Sequence, residues 1–289
     1  MHLDSTQSFT RHVSFELALG ESPVWDDDRQ TLWFVDILAP ALYQLDPASG
    51  HLAAHPMPTA VGSVGMAQSG RLIVALRSGV HLYDPASRSL EFLVHPEPNV
   101  SINRLNDGKV GPDGCFWVGS MHDSVPRSPT ASLYRITPDG RCTRMLGGIN
   151  VSNGLAWSPD GTTMYHADSR GSVSAYDFDP ASGQMSRMRV LVTPSEAEGL
   201  ADGAAVDVDG FYWSAGVTAG CVNKISPAGG IVASMPVPTD APTMPCFGGR
   251  DLRTLFITSL STARNGKPDQ GTLISCRMDV PGAPIGKFG

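Results

Sequence analysis

Residues 110–118 read Val-Gly-Pro-Asp-Gly-Cys-Phe-Trp-Val. A turn, Pro112-Asp113-Gly114, separates an apolar residue that ends one strand from the triplet Phe116-Trp117-Val118 that carries the next. Asp-Gly between two apolar runs is a hairpin signal, because glycine supplies the positive φ that a tight turn requires. The punctuation returns at Pro159-Asp160-Gly161 and Asp207-Val208-Asp209-Gly210. A second class of turn recurs at Asp46-Pro47-Ala48-Ser49-Gly50, Asp84-Pro85-Ala86-Ser87 and Asp179-Pro180-Ala181-Ser182-Gly183.

Working outward, equivalent triplets are Leu32-Trp33-Phe34, Leu72-Ile73-Val74, Phe116-Trp117-Val118, Met164-Tyr165-His166, Tyr212-Trp213-Ser214 and Leu255-Phe256-Ile257, spaced 40, 44, 48, 48 and 43 residues apart. Each follows a shorter apolar run such as Pro23-Val24-Trp25 or Leu155-Ala156-Trp157. Each precedes a third strand such as Leu42–Leu45, and most repeats add a fourth such as Ser89–Leu93. Six such units predict an all-β chain: a six-bladed β-propeller with four-stranded antiparallel blades, one domain over 1–289. A helical solenoid would need 3.6-residue periodicity, which is absent. Two stacked sandwiches would leave the single period unexplained. The last repeat lacks an outer strand after Cys276, and His12–Leu17 is a spare strand-like run ahead of the first. Pairing that N-terminal strand into the sixth blade closes the ring and covers both edges.

Composition narrows the function. The chain has 289 residues, 41% of them hydrophobic, with 31 glycines, 23 prolines and a net charge of −7. That apolar content excludes a disordered chain. No run approaches the ~20 apolar residues of a membrane span. Met1–Gly20 lacks the pattern of a secretory signal, so a cytoplasmic location is expected. Scattered Lys and Arg leave no basic footprint for nucleic acid. Cys115, Cys142, Cys221, Cys246 and Cys276 are odd in number and widely spaced, which fits reduced, buried thiols better than disulfides or a zinc ribbon. His51, His55, His81 and His95 fall in outer strands and turns, and His122, beside Asp123, is the one histidine expected near a pocket. No GxSxG elbow, P-loop or GxGxxG is present, so a serine triad and nucleotide binding are unsupported.

Repeats can also be compared position by position. Four residues before the anchors Trp25, Val110, Trp157 and Val206 of the innermost strands stand Glu21, Asn106, Asn153 and Asp202, with Gly62 and Thr243 near the equivalent places in repeats two and six. Each residue alone reads as an ordinary turn former. Four polar residues at one repeat position are predicted to converge at one end of the channel. Converging carboxylates repel unless a proton or cation lies between them. Oxygen-only ligands suit a hard or borderline divalent ion.

The segments Glu21-Ser22-Pro23-Val24-Trp25, Asn103–Val110, Val151–Trp157, Ala201-Asp202-Gly203 and Cys246-Phe247-Gly248-Gly249 resemble, in order and at the expected spacing, those of the gluconolactonase/regucalcin (senescence marker protein) family. The run Gly119–Asp123 resembles bacterial sugar lactonases more than animal regucalcins. The resemblance implies one divalent ion (Ca²⁺, Zn²⁺, Mn²⁺, Mg²⁺ or Fe²⁺) on Glu21, Asn153 and Asp202. It implies Asp202 as general base and Arg104 and Asn106 as substrate-binding residues. Some members carry a Glu pair where this chain has Met121-His122-Asp123-Ser124, and Asp123 is expected to take the substrate contact there. The implied reaction is hydrolysis of a sugar lactone to the aldonic acid, by a monomer or weak homo-oligomer with no nucleic-acid or membrane partner. Rival readings are a non-catalytic calcium-binding propeller and a propeller esterase or phosphotriesterase. Three ligands leave an open coordination site, which favours catalysis. Trp25 and Trp157 flank the ligand positions and are expected to serve blade packing.

Overall fold

Alternating apolar runs broken by Asp-Gly and Asp-Pro-Ala-Ser turns form six four-stranded antiparallel sheets arranged as a six-bladed β-propeller. The computed structural model describes residues 7–264 and 267–289; residues 1–6, which begin the segment read for a secretory signal, lie outside them. No helix occurs among the described residues, so none is long and apolar enough to cross a membrane.

The recurring turns share one construction. In each Asp-Pro-Ala-Ser turn the Asp carboxylate accepts the alanine N–H at 2.9–3.0 Å and the serine hydroxyl at 2.6–2.8 Å. Such side-chain caps close the hairpin without help from distant residues.

The innermost strands of blades one to six are Gly20–Asp26, Val61–Met66, Asn103–Val110, Ser152–Trp157, Ala201–Val206 and Pro242–Gly248. They are almost wholly buried, whereas outer strands such as Gln184–Val192 are largely exposed. The predicted triplets all fall in second strands. Each of six apolar clusters straddles one pair of neighbouring blades, so burial between blades holds the ring. Trp25 stacks on Phe256 and Trp157 meets Trp117 edge-on, both as blade packing. The five cysteines are free, and all but Cys142 are buried.

The ring closes through the N-terminus, with the strand set just ahead of the expected run, which still reaches blade six through His12 N–H to Leu273 O and Leu17 N–H to Gly271 O, both 2.9 Å. Thr10–Arg11, not His12–Leu17, is the outer strand of blade six, pairing Thr10 with Ser275 and Arg11 with Ile274. The apolar residues of the expected run, Val13 and Leu17, turn inward instead, into the cluster of Trp25, Leu32 and Phe34. Burying them gains more than extending the ladder along a five-residue partner strand, Leu273–Arg277.

The C-terminal tail crosses one end of the channel. Its backbone joins blade five (Ala283 N–H to Val206 O, 2.9 Å), blade two (Phe288 N–H to Met66 O, 2.8 Å) and blade three (Gly289 N–H to Gly114 O, 3.2 Å). Between tail and channel lies a cavity of about 180 Å³, bordered by Val24, Met66, Lys109, Trp157, Phe247 and Ile285. Glu21, Arg104, Asn106, Asn153 and Asp202, toward the opposite end of the inner strands, do not line it.

Candidate active site and metal centre

At that opposite end, every inner strand slips register against its second strand: between Glu21 and Val24, Val61 and Ser63, Leu105 and Gly108, Asn153 and Ala156, Ala201 and Ala204, and Pro242 and Met244. A bulge bends a strand and re-aims its side chains. Glu21, Asn106, Asn153 and Asp202 sit on four of these bulges. The residue after Glu21 and the residue after Asn153 both adopt left-handed backbone, Ser22 at φ 46° and Gly154 at φ 61°. At Gly154 a side chain is excluded twice over, because a Cβ there would lie 2.1 Å from the Tyr212 hydroxyl oxygen. Ser22 bears the strain as a non-glycine, at roughly 1–3 kcal/mol. Its Oγ accepts the Val64 N–H at 3.0 Å, tying blade one to blade two.

Arg104, Asn106, Asn153 and Asp123 join in one chain of contacts. Asp123 receives the Arg104 Nε–H at 3.2 Å and also pairs with Arg77. Arg104 Nη1 donates to Asn106 Oδ1 at 2.7 Å. Asn106 Nδ2 donates to Asn153 Oδ1 at 2.8 Å and to Ser152 O at 3.0 Å. Asn153 Nδ2 then donates to Ser169 Oγ at 2.7 Å. Each amide is thereby oriented, and Asn153 Oδ1 keeps a spare lone pair. Arg104, Asn106 and Asn153 are buried, while the Asp123 side chain is 29% exposed.

Glu21 and Asp202 are near enough for the Asp202 charge to act on Glu21. Burial pushes the Glu21 carboxyl well above its usual range, and the charges of Asp202 and Asp107 push it further. Asp202 is pushed up to about 8 by burial and by Asp107. Glu21 has one hydrogen bond, from the Ser22 N–H at 2.8 Å. The raised values mean that the surrounding protein does not compensate both charges, so a proton or a cation must do so, and a divalent ion can take the proton's place. Among the described residues no three His, Cys, Asp or Glu side chains gather as a metal cluster. The donor set is instead two carboxylates and one amide oxygen, all hard oxygens, and it fits a divalent ion.

Two positional expectations close as structure rather than site. Thr243 is fully buried and bridges blades six and one, bonded to Gly20 O and to the Thr258 hydroxyl. Gly62 allows close approach, since a Cβ there would meet Leu105 O at 2.5 Å. His122 is buried with Nδ1 accepting the Ser128 N–H at 3.3 Å.

Sequence reasoning missed Asp107 and Lys109. Asp107 is buried; Oδ2 accepts the Leu155 N–H at 3.0 Å and Oδ1 has no partner. Lys109 Nζ donates to Ala204 O at 2.6 Å inside the channel. Asp-Gly is ordinarily a turn dipeptide, yet Asp107-Gly108 lies within an eight-residue inner strand. Three charged residues in that strand, Arg104, Asp107 and Lys109, were the available signal, because a buried strand tolerates charges only when they balance or serve a site.

The chain matches the family model described as the SMP-30/gluconolactonase/LRE-like region over residues 19–261. It is 38% identical over 270 residues to the 6-deoxy-6-sulfogluconolactonase of Pseudomonas putida, covering 91% of this chain and 92% of that one. It is 33% identical over 253 residues to Xenopus laevis regucalcin, covering 86% and 85%. The solved structure of a calcium-binding protein, regucalcin, from Agrobacterium tumefaciens superposes with a TM-score of 0.91 at 26% identity, over 98% of each chain.

Proposed function

This chain belongs to the SMP-30/gluconolactonase/LRE-like family, and from that premise we propose that its lactonase reaction opens a sugar lactone to the aldonic acid, with Asp202 as general base. The observation that carries the reading is the uncompensated carboxylate pair of Glu21 and Asp202, set beside the oriented chain Asp123–Arg104–Asn106–Asn153.

Glu21, Asp202 and Asn153 Oδ1 are the residues that would hold a divalent ion. When bound, such an ion polarises a lactone carbonyl and acidifies water. With the negative charge balanced, Asp202 is ionised at neutral pH and can take the proton of the attacking water. The same carboxyl returns it to the ring oxygen as the acyl–oxygen bond breaks. Arg104, permanently charged and fixed by Asp123 and Asn106, presents its guanidinium to the substrate oxygens. Asn106 Oδ1 has a second lone pair for a sugar hydroxyl, and the exposed edge of Asp123 can take another.

The test is a panel of aldonolactones, an aryl ester and an organophosphate, assayed after exhaustive chelation and after adding back Mn²⁺, Zn²⁺, Fe²⁺, Mg²⁺ or Ca²⁺. Lactone turnover that vanishes on chelation and returns unequally with the different ions supports the reading. Undiminished turnover in demetallated protein refutes the role of the ion. Ester or organophosphate turnover above that of every lactone favours the esterase reading. Calcium binding with no turnover favours a binding module.

A further inference from the structure

The rim over blades two to four is crowded with arginines that the lactonase reading does not use. Arg77 lies between the second and third strands of blade two, Arg127 in the equivalent loop of blade three and Arg170 in that of blade four. Together with Arg104 they place four guanidinium groups on one side of the channel mouth. Among the described residues their ion pairs are two, both to Asp123: from Arg77 and from Arg104. Arg127 is half-buried and donates to a neutral acceptor, the His122 carbonyl. Arg170 is exposed and makes no ion pair among the described residues.

These charges act on each other. The Arg104 guanidinium is pushed down to about 10 by burial and by the positive charge of Arg127, with Arg77 adding to it, against Glu21 and Asp202. Arg127 is lowered by burial and by Arg170. Like charges this close cost free energy unless something negative is expected there. The carboxylates that partly offset Arg104, Glu21 and Asp202, are the ones whose charge a divalent ion would take up. Asp123 is the one carboxylate ion-paired with these four guanidinium groups among the described residues, and Asp168, beside Arg170, is taken up by Asn150 and by backbone N–H groups.

On the lactonase reading, a lactone whose carbonyl sits beside Glu21 and Asp202 would extend past Asn106 and Arg104 toward this rim. We propose that the preferred lactone carries a fixed anion, a sulfonate, phosphate or carboxylate, on the carbon farthest from the lactone carbonyl, received by Arg127 and Arg77 beside Arg104. This rests on the lactonase reading above. The planar guanidinium fork matches the paired oxygens of all three anions.

The test compares kcat/KM of the metal-loaded protein for gluconolactone and for its analogues with sulfonate, phosphate or carboxylate at carbon 6. At least one charged analogue is expected to exceed the neutral lactone by tenfold or more, and the three arms identify which anion fits. Arg127→Gln should lower the charged-over-neutral ratio by about ten- to a hundredfold, the range for one charge-assisted hydrogen bond. Arg127→Lys should recover part of it, and Arg77→Gln provides a second variant should Arg127→Gln fold poorly. The preference should also shrink as salt rises, because part of the mouth is exposed. A neutral lactone turned over as well as every charged one overturns the proposal and leaves the lactonase reading standing. So does an Arg127→Gln protein that loses charged and neutral turnover equally. No turnover of any lactone removes both.

Discussion

Gly154→Ala is the sharpest single test of how the site is built. Gly154 follows Asn153 at φ 61°, and a Cβ there would sit 2.1 Å from the Tyr212 hydroxyl oxygen and 3.1 Å from both Ala167 Cβ and Asp202 O. An alanine in left-handed backbone costs about 1–2 kcal/mol. The methyl group also displaces the Tyr212 hydroxyl from its 2.7 Å bond to Gly154 O, and stranding that buried pair costs roughly 1–3 kcal/mol. The sum is about 2–5 kcal/mol. Unfolding entropy near ~2.1 cal/mol/K per residue makes that a fall in Tm of roughly 3–8 °C for a chain of this length. The assay is a double-mutant cycle by thermal or denaturant unfolding. In a Tyr212→Phe background the hydroxyl is gone, so Gly154→Ala should cost only the backbone part, ~1–2 kcal/mol. The coupling should therefore be about 1–3 kcal/mol, in the sense that the two changes together cost less than their sum. Equal costs in both backgrounds, within ~0.5 kcal/mol, would refute the steric reasoning. Because Asn153 precedes the glycine, the single variant should also bind the divalent ion more weakly, measurable by titration calorimetry.

Asp202→Asn keeps an oxygen at the same position but removes the base, so turnover should fall ~10²–10⁴-fold with part of the metal retained; normal metal content with near-normal kcat would leave Asp202 a ligand at most. Arg104→Ala should lower kcat/KM for hydroxylated lactones by the equivalent of roughly 1.5–3 kcal/mol and for a bare lactone by less, and equal losses would move Arg104 from sugar recognition to the carbonyl. Acid stability should report His166, which is buried against the Ser152 hydroxyl at 2.8 Å and pushed down to about 4 by burial. Its pKa is lower folded than unfolded, so the unfolded chain binds the extra proton first. Stability is then lost as pH falls from about 6.5 toward 4, by ~3 kcal/mol in order of magnitude. His166→Gln should flatten that part of the stability–pH curve, and an unchanged curve would show that other groups govern it.

Much of the molecule was legible one residue at a time. The Asp-Pro-Ala-Ser and Asp-Gly turns close on their own side chains and backbone, so the hairpins, the strand order within blades and the period of the ring follow from local chemistry. Repetition then made Glu21, Asn106, Asn153 and Asp202 visible as one position of one repeat, because a propeller converts sequence equivalence into convergence around its axis. What stayed hidden depends on contacts between repeats. The N-terminal strand shifted to Thr10–Arg11 because Val13 and Leu17 found a core that exists only once blades one and six meet.

Asp107 and Lys109 carry no local mark of their role; the third blade places both in the channel, where Asp107 raises Glu21 and Asp202. The bulges and left-handed residues that aim the site side chains are likewise set by neighbours: at Gly154 by Tyr212 of the next blade, at Ser22 by Val64 of another. The arginine rim is the clearest case. Arg77, Arg127 and Arg170 lie in three separate loops with no common motif. Sequence determines their charge, but electrostatic energy depends on distance through space, and only the closed ring brings those charges to one mouth.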